Sequence, residues 1–240
     1  ALKDAELRDY LVEGSFAKNE IFRYNSARVI YRAIQVGPEL FYPYWDRFAG
    51  MIDSPNGFHR SVAAQVIALL AAADKDRKLD PIFAHYLDLL NDPKVMVTHY
   101  FLEAIGKIYR ARPDLQKEIM ACLLNMDKTG HLPERRDMLK ADIISVFDQL
   151  FDSFSPQDQK KASTFVKKQL ESSSLKTRKA AKEFEKKHPW IARLLKNKPC
   201  KSTKLVLSAV KGSVAKSVSR ANPQKPRNIK ILLQEQHVED

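Results

Sequence analysis

A short block of residues recurs through the chain at almost constant intervals, and no other feature limits the fold so strongly. Ala27-Arg28-Val29-Ile30 is followed by Ala64-Gln65-Val66-Ile67, by Leu102-Glu103-Ala104-Ile105 and by Ala141-Asp142-Ile143-Ile144, with a weaker fifth copy at Arg178-Lys179-Ala180-Ala181. The aligned positions Ile30, Ile67, Ile105, Ile144 and Ala181 stand 37, 38, 39 and 37 residues apart. Three residues after each come Ala33, Leu70, Ile108, Phe147 and Phe184. Self-similarity at such a period marks an array of supersecondary units, none of which buries its apolar face alone.

Each unit holds two amphipathic segments. Val62, Val66, Leu69 and Leu70 keep helical spacing, and so do Phe83, Tyr86, Leu87 and Leu90. Phe101, Leu102, Ile105 and Ile108 precede Leu115, Ile119, Leu123 and Leu124 in the same way. No stretch before residue 195 alternates with period two, so no strand is expected there. Pro38, Pro55, Pro81, Pro93, Pro113, Pro133 and Pro156 fall where helices should begin. Proline is tolerated in a first turn because the N–H it lacks would be unpaired there. Asp80, Asp92 and Ser155, each just before a proline, are candidate N-caps. Pro43 falls early in Glu39–Asp53 and predicts a helix that starts later or bends. Residues 2–14 read as one extra helix, with Asp4, Glu6, Arg8 and Asp9 among Leu2, Leu7, Tyr10 and Leu11, as a terminal cap requires.

A two-helix unit of this length, with Asp92-Pro93 opening the third copy, resembles the HEAT repeat family over roughly residues 19–190. The resemblance implies an all-α α-solenoid of about five stacked antiparallel helix pairs, a domain over residues 1–195. It also implies a concave surface lined by the second helix of each pair and a binding role. Some HEAT-like proteins are similar to DNA alkylation-repair glycosylases, which hold DNA in a basic, aromatic-lined concave face.

No catalytic constellation accompanies the repeat. The chain has only 7 glycines and lacks a glycine-rich phosphate loop, a dinucleotide fingerprint and a His-Glu-x-x-His helix. Its 2 cysteines, Cys122 and Cys200, make no metal-spaced cluster. Cys122, between Ala121 and Leu123, reads as a small core residue. His99 and Glu103, one turn apart, are able to share a proton or a metal, or to form a simple surface pair. The expectation is a protein without catalytic, cofactor or metal sites. With no apolar run long enough to span a bilayer and no leader-like start, a cytoplasmic location is expected, or a nuclear one in a eukaryote.

Two groups of residues are candidates for partner binding. Tyr42, Tyr44, Trp45 and Arg47 cluster on one second helix, where aromatic and guanidinium groups suit a protein or nucleic-acid hot spot. The plainer reading is that these aromatics cap the hydrophobic core of the first repeat. The other group follows the charge. Residues 1–153 carry 20 basic and 22 acidic side chains, and residues 154–240 carry 21 and 7, so the whole net charge of +12 arises in the last third. Lys160, Lys167 and Lys168 sit beside a buried stripe of Ala162, Phe165, Val166 and Leu170 and should face solvent. Residues 196–240 form a basic tail, largely extended or disordered, with 10 basic and 3 acidic side chains. Within it Val206, Val210 and Val214 recur every four residues beside Lys204 and Lys211, a marginal amphipathic helix suited to a partner groove or an anionic surface. The sequence therefore points to a binding scaffold for a protein partner, with a basic tail for an acidic one. The rival is a nucleic-acid-binding protein acting through the basic third.

Overall fold

In the computed structural model the described residues are 3–188, and they fall in one compact unit. The boundary expected at residues 195 and 196, and the tail beyond it, lie outside them. Among the described residues there are ten α-helices and no strand. They are α1 (Ala5–Gly14), α2 (Glu20–Val36), α3 (Trp45–Ala49), α4 (Gly57–Leu70), α5 (Phe83–Leu87), α6 (Val95–Ala111), α7 (Gln116–Leu124), α8 (Pro133–Leu150), α9 (Pro156–Lys168) and α10 (Leu175–Lys187).

Long and short helices alternate as far as α8, and α9 and α10 have 13 residues each. α2, α4, α6, α8 and α10 each carry one copy of the recurring block, and each packs against the next in that series. Ile30, Ile67, Ile105, Ile144 and Ala181 are all buried, as are Ala33, Leu70, Ile108, Phe147 and Phe184 one turn later. Each large apolar side chain removed from water contributes about 1.5–3 kcal/mol. The seam between the long helices is therefore a main source of stability. Aromatic edges finish it toward the C-terminal side, where Phe151 meets Phe184 at 5.2 Å and Phe147 meets Phe154 at 5.9 Å.

The second segments are less regular than their spacing predicts. α3 and α5 have only 5 residues each and are flanked by 3-10 turns. Pro43 sits inside the turn Tyr42–Tyr44, and α3 starts just after it, as its position required. Pro38, Pro81 and Pro113 open 3-10 turns rather than α-helices, whereas Pro133 and Pro156 open α8 and α9. Ser155 caps α9 by accepting from the Asp158 N–H at 3.2 Å. Asp80 lies within its own 3-10 turn. Asp92 does not cap α6, whose N-cap is Lys94, with no side-chain cap. It accepts instead from the Lys94 N–H at 2.7 Å and from the Arg60 guanidinium at 2.6 Å.

Polar links between units share one property, a sequence separation of about one repeat. Arg60 reaches Asp92, Arg77 reaches Asp114 at 2.8 Å and Lys78 reaches Asp46 at 2.9 Å. Asn91 accepts from the Gly130 N–H at 2.6 Å and Asp142 accepts from Lys176 at 2.7 Å. Asp74, wholly buried as a side chain, is the most connected of these groups. It accepts from Tyr42 at 2.8 Å and from the N–H groups of Lys78 and Leu79 at 2.8 and 2.9 Å, and Arg112 stands 3.7 Å away.

Candidate functional site

The aromatic cluster expected to meet a partner is tied into the fold. Trp45 is buried in the core beside Phe41 and Phe48. Tyr42 donates to Asp74, and Tyr44 donates to Asp9 of α1. Loss of hydration, then the carboxylate each one meets, raises both phenols above their usual range. Arg47 pairs with Glu13 of α1, and its guanidinium lies 4.8 Å from the Phe16 ring centroid. Tyr44 and Arg47 fasten the terminal helix to the first repeat, while Tyr42 reaches the turn after α4 and Trp45 packs in the core. Lys160, Lys167 and Lys168 are exposed on α9, opposite buried Ala162 and Val166. Lys204, Val206, Val210, Lys211 and Val214 lie outside the described residues.

A groove opens elsewhere, along the long helices. It encloses about 520 Å³ between α2, α4 and α6. α2 contributes Tyr24, Arg28 and Tyr31; α4 contributes Phe58, Ser61 and Gln65; α6 contributes Met96, Tyr100 and Glu103. Within each helix these residues recur at i, i+3 or i+4, and i+7, one face of a helix. On α2 that face lies beside the core stripe of Ala27, Ile30 and Ile34. Lys94 crosses the entrance of the groove, with its stem over Gly57, where an added Cβ would come within 3.2 Å of the lysine Cγ. A second hollow of about 420 Å³ shares Lys94 and Met96 and continues to Arg135 and Met138 on α8.

The groove is apolar but carries charges that the protein itself leaves unmatched. Tyr24 is 52 % exposed and Met96 is 59 % exposed. Gln65 donates to the Tyr31 hydroxyl at 3.3 Å, and burial, followed by the nearby Tyr100 and Glu103 groups, holds Tyr31 above the usual phenol range. Arg28 lies 5.6 Å from the Tyr24 ring centroid. Among the described residues no ion pair engages Arg28, Lys94, Arg135 or Glu103, although all four are exposed or line the open groove.

Nothing in the groove pairs a nucleophile with a base. Cys122 stands on α7, its thiol pushed up to about 12 by burial first and Asp88 second, so it remains a thiol at neutral pH. His99 is bonded through Nδ1 to Asp142 at 2.9 Å and not to Glu103. Among the described residues no group of three or more His, Cys, Asp or Glu is placed to hold a metal ion, and no helix is long and apolar enough to cross a membrane.

Sequence reasoning missed the groove because its residues are scattered over 80 positions and enter one turn at a time. The available signal was the second stripe on α2 and α6, Tyr24-Arg28-Tyr31 and Met96-Tyr100-Glu103, beside the core stripe. No family model, no curated protein and no solved structure matches this chain.

Proposed function

We propose that the protein is a non-catalytic binding scaffold. Its helices form an α-solenoid of the HEAT type, and the groove across α2, α4 and α6 receives a protein partner. The observation that carries this reading is the contrast in polar bonding. Arg60–Asp92 and Arg77–Asp114 join charges about one repeat apart, while the groove keeps exposed Tyr24 and Met96 beside Arg28, Lys94 and Glu103, none of which has an ion pair among the described residues. Aromatic side chains with arginine in a concavity are the composition of interface hot spots. The test is native co-purification with quantitative mass spectrometry, using the wild type, a Met96→Glu variant and a Lys117→Glu control on α7. A protein recovered with the wild type and the control but depleted with Met96→Glu supports the reading. A recovered set indifferent to Met96→Glu overturns it.

A second reading rests on α9 and α10. Lys160, Lys167 and Lys168 are exposed on α9 and have no ion pair among the described residues. They suit an acidic protein surface or nucleic acid, together with the basic residues beyond position 188. A salt titration with DNA and RNA decides between them, because phosphate contacts make affinity fall steeply with salt.

A further inference from the structure

The groove's charges select the chemistry of what enters it, an inference that rests on the binding reading above. Arg28, Lys94 and Arg135 follow one another from α2 to α8 along the two connected hollows, against a single carboxylate, Glu103. The described body is nearly balanced, since residues 3–188 carry 30 basic and 26 acidic side chains. The three-to-one excess of cations is therefore a property of this lining. α6 adds to the positive end, because its first turn begins at Lys94 with no side-chain cap, and the N-terminus of a helix carries partial positive charge. Met96, in the same turn, exposes an adaptable thioether that moulds to irregular apolar shapes.

We infer that the groove binds an acidic peptide segment. One aliphatic or aromatic side chain of the segment lies among the rings and Met96, and a neighbouring Asp or Glu lies against Arg28 and Lys94. The carboxylate pairs with cations that no described carboxylate engages. Glu103, farther along α6, disfavours acid at the inner end and so sets the direction in which the segment lies.

The experiment is a selection of phage-displayed random peptides on the full chain, followed by affinity measurements with the enriched peptides. The expected consensus has an apolar anchor with Asp or Glu within a few residues. Affinity should fall about tenfold in the Arg28→Glu, Lys94→Glu double variant, as for loss and reversal of two exposed charge contacts. It should fall at least as much in Met96→Glu, with circular dichroism and melting unchanged in both. Peptides indifferent to Met96→Glu bind elsewhere and overturn the groove reading together with this inference. Peptides that lose affinity in Met96→Glu but not on charge reversal, or that are basic, keep the groove and overturn the acidic segment. Failure to enrich any peptide overturns the inference. So does a dimer in sedimentation that Met96→Glu dissociates, which assigns the groove to a second copy, or an oligonucleotide that competes for it.

Discussion

Along the turns that join the helices, several charges have a counterpart about one repeat away. Arg112 meets Asp80 and Asp114, Arg77 meets the same two carboxylates, and Asp74 collects a tyrosine hydroxyl and two backbone amides. Along the groove, Arg28, Lys94 and Glu103 have no ion pair among the described residues. Both regions are built on the same repeat and use the same residue types. The difference is whether a charge is met by another described residue. Polar groups satisfied internally hold the units in register, and those left open are available for recognition.

The sharpest test of this comparison is Asp74→Ala. The substitution leaves the Tyr42 hydroxyl and two backbone N–H groups without their acceptor and removes one of the three carboxylates around Arg112. It should cost about 3–5 kcal/mol, read from urea unfolding. A near-neutral result would mean that the links between units do not hold the array.

A smaller effect is expected at His59, where α4 meets the N-terminal helices. Its Nδ1 is bonded to Ser54 at 3.0 Å, its Nε2 is buried without a partner, and the Phe16 and Phe58 rings stand 5.8 and 6.3 Å away. Burial, then the Arg23 charge, lowers its pKa. A lowered histidine pKa means that the unfolded chain takes up a proton that the folded one refuses. Stability is therefore unaffected above the ordinary imidazole pKa of about 6.5, declines as pH falls below it, and levels off below the folded-state value. Melting temperatures from pH 7.5 to 5 should show this decline, and His59→Phe should reduce it. An identical slope in the variant would assign the decline to other groups.

The smallest effect belongs to the groove itself. Arg28→Glu with Lys94→Glu should change unfolding free energy by no more than about 0.5 kcal/mol, because neither charge has an ion pair among the described residues to lose. A cost several times larger would show that these residues stabilise the fold, and the contrast between the two regions would collapse.

The core was legible in the sequence because it depends on one local property, apolar side chains at helical spacing. Ile30, Ile67, Ile105 and Ile144 lie at the seam that their recurrence implied. The brevity of α3 and α5 was not legible, since apolar spacing says which side chains face inward and not whether the backbone keeps α-helical bonding past Pro43 or Pro81. The run from Tyr42 to Arg47 drew attention by being dense along the chain. Adjacent positions on a helix point in different directions, however, and here Trp45 turns to the core while Arg47 turns to Glu13. Groove residues come from three helices, and only the packing of α2, α4 and α6 places them together.

The links between neighbouring units also bear on how the molecule responds to force. Arg60 reaches Asp92, 32 residues on, and His99 reaches Asp142, 43 residues on, so each bond secures one boundary only. Arg77–Asp114, Lys78–Asp46, Asn91–Gly130 and Asp142–Lys176 likewise span no more than one boundary each. On the solenoid reading proposed above, residues 3–188 should lengthen gradually, one boundary yielding after another at modest load, and shorten again by the same steps when released. A chain held in this way behaves as a graded spring.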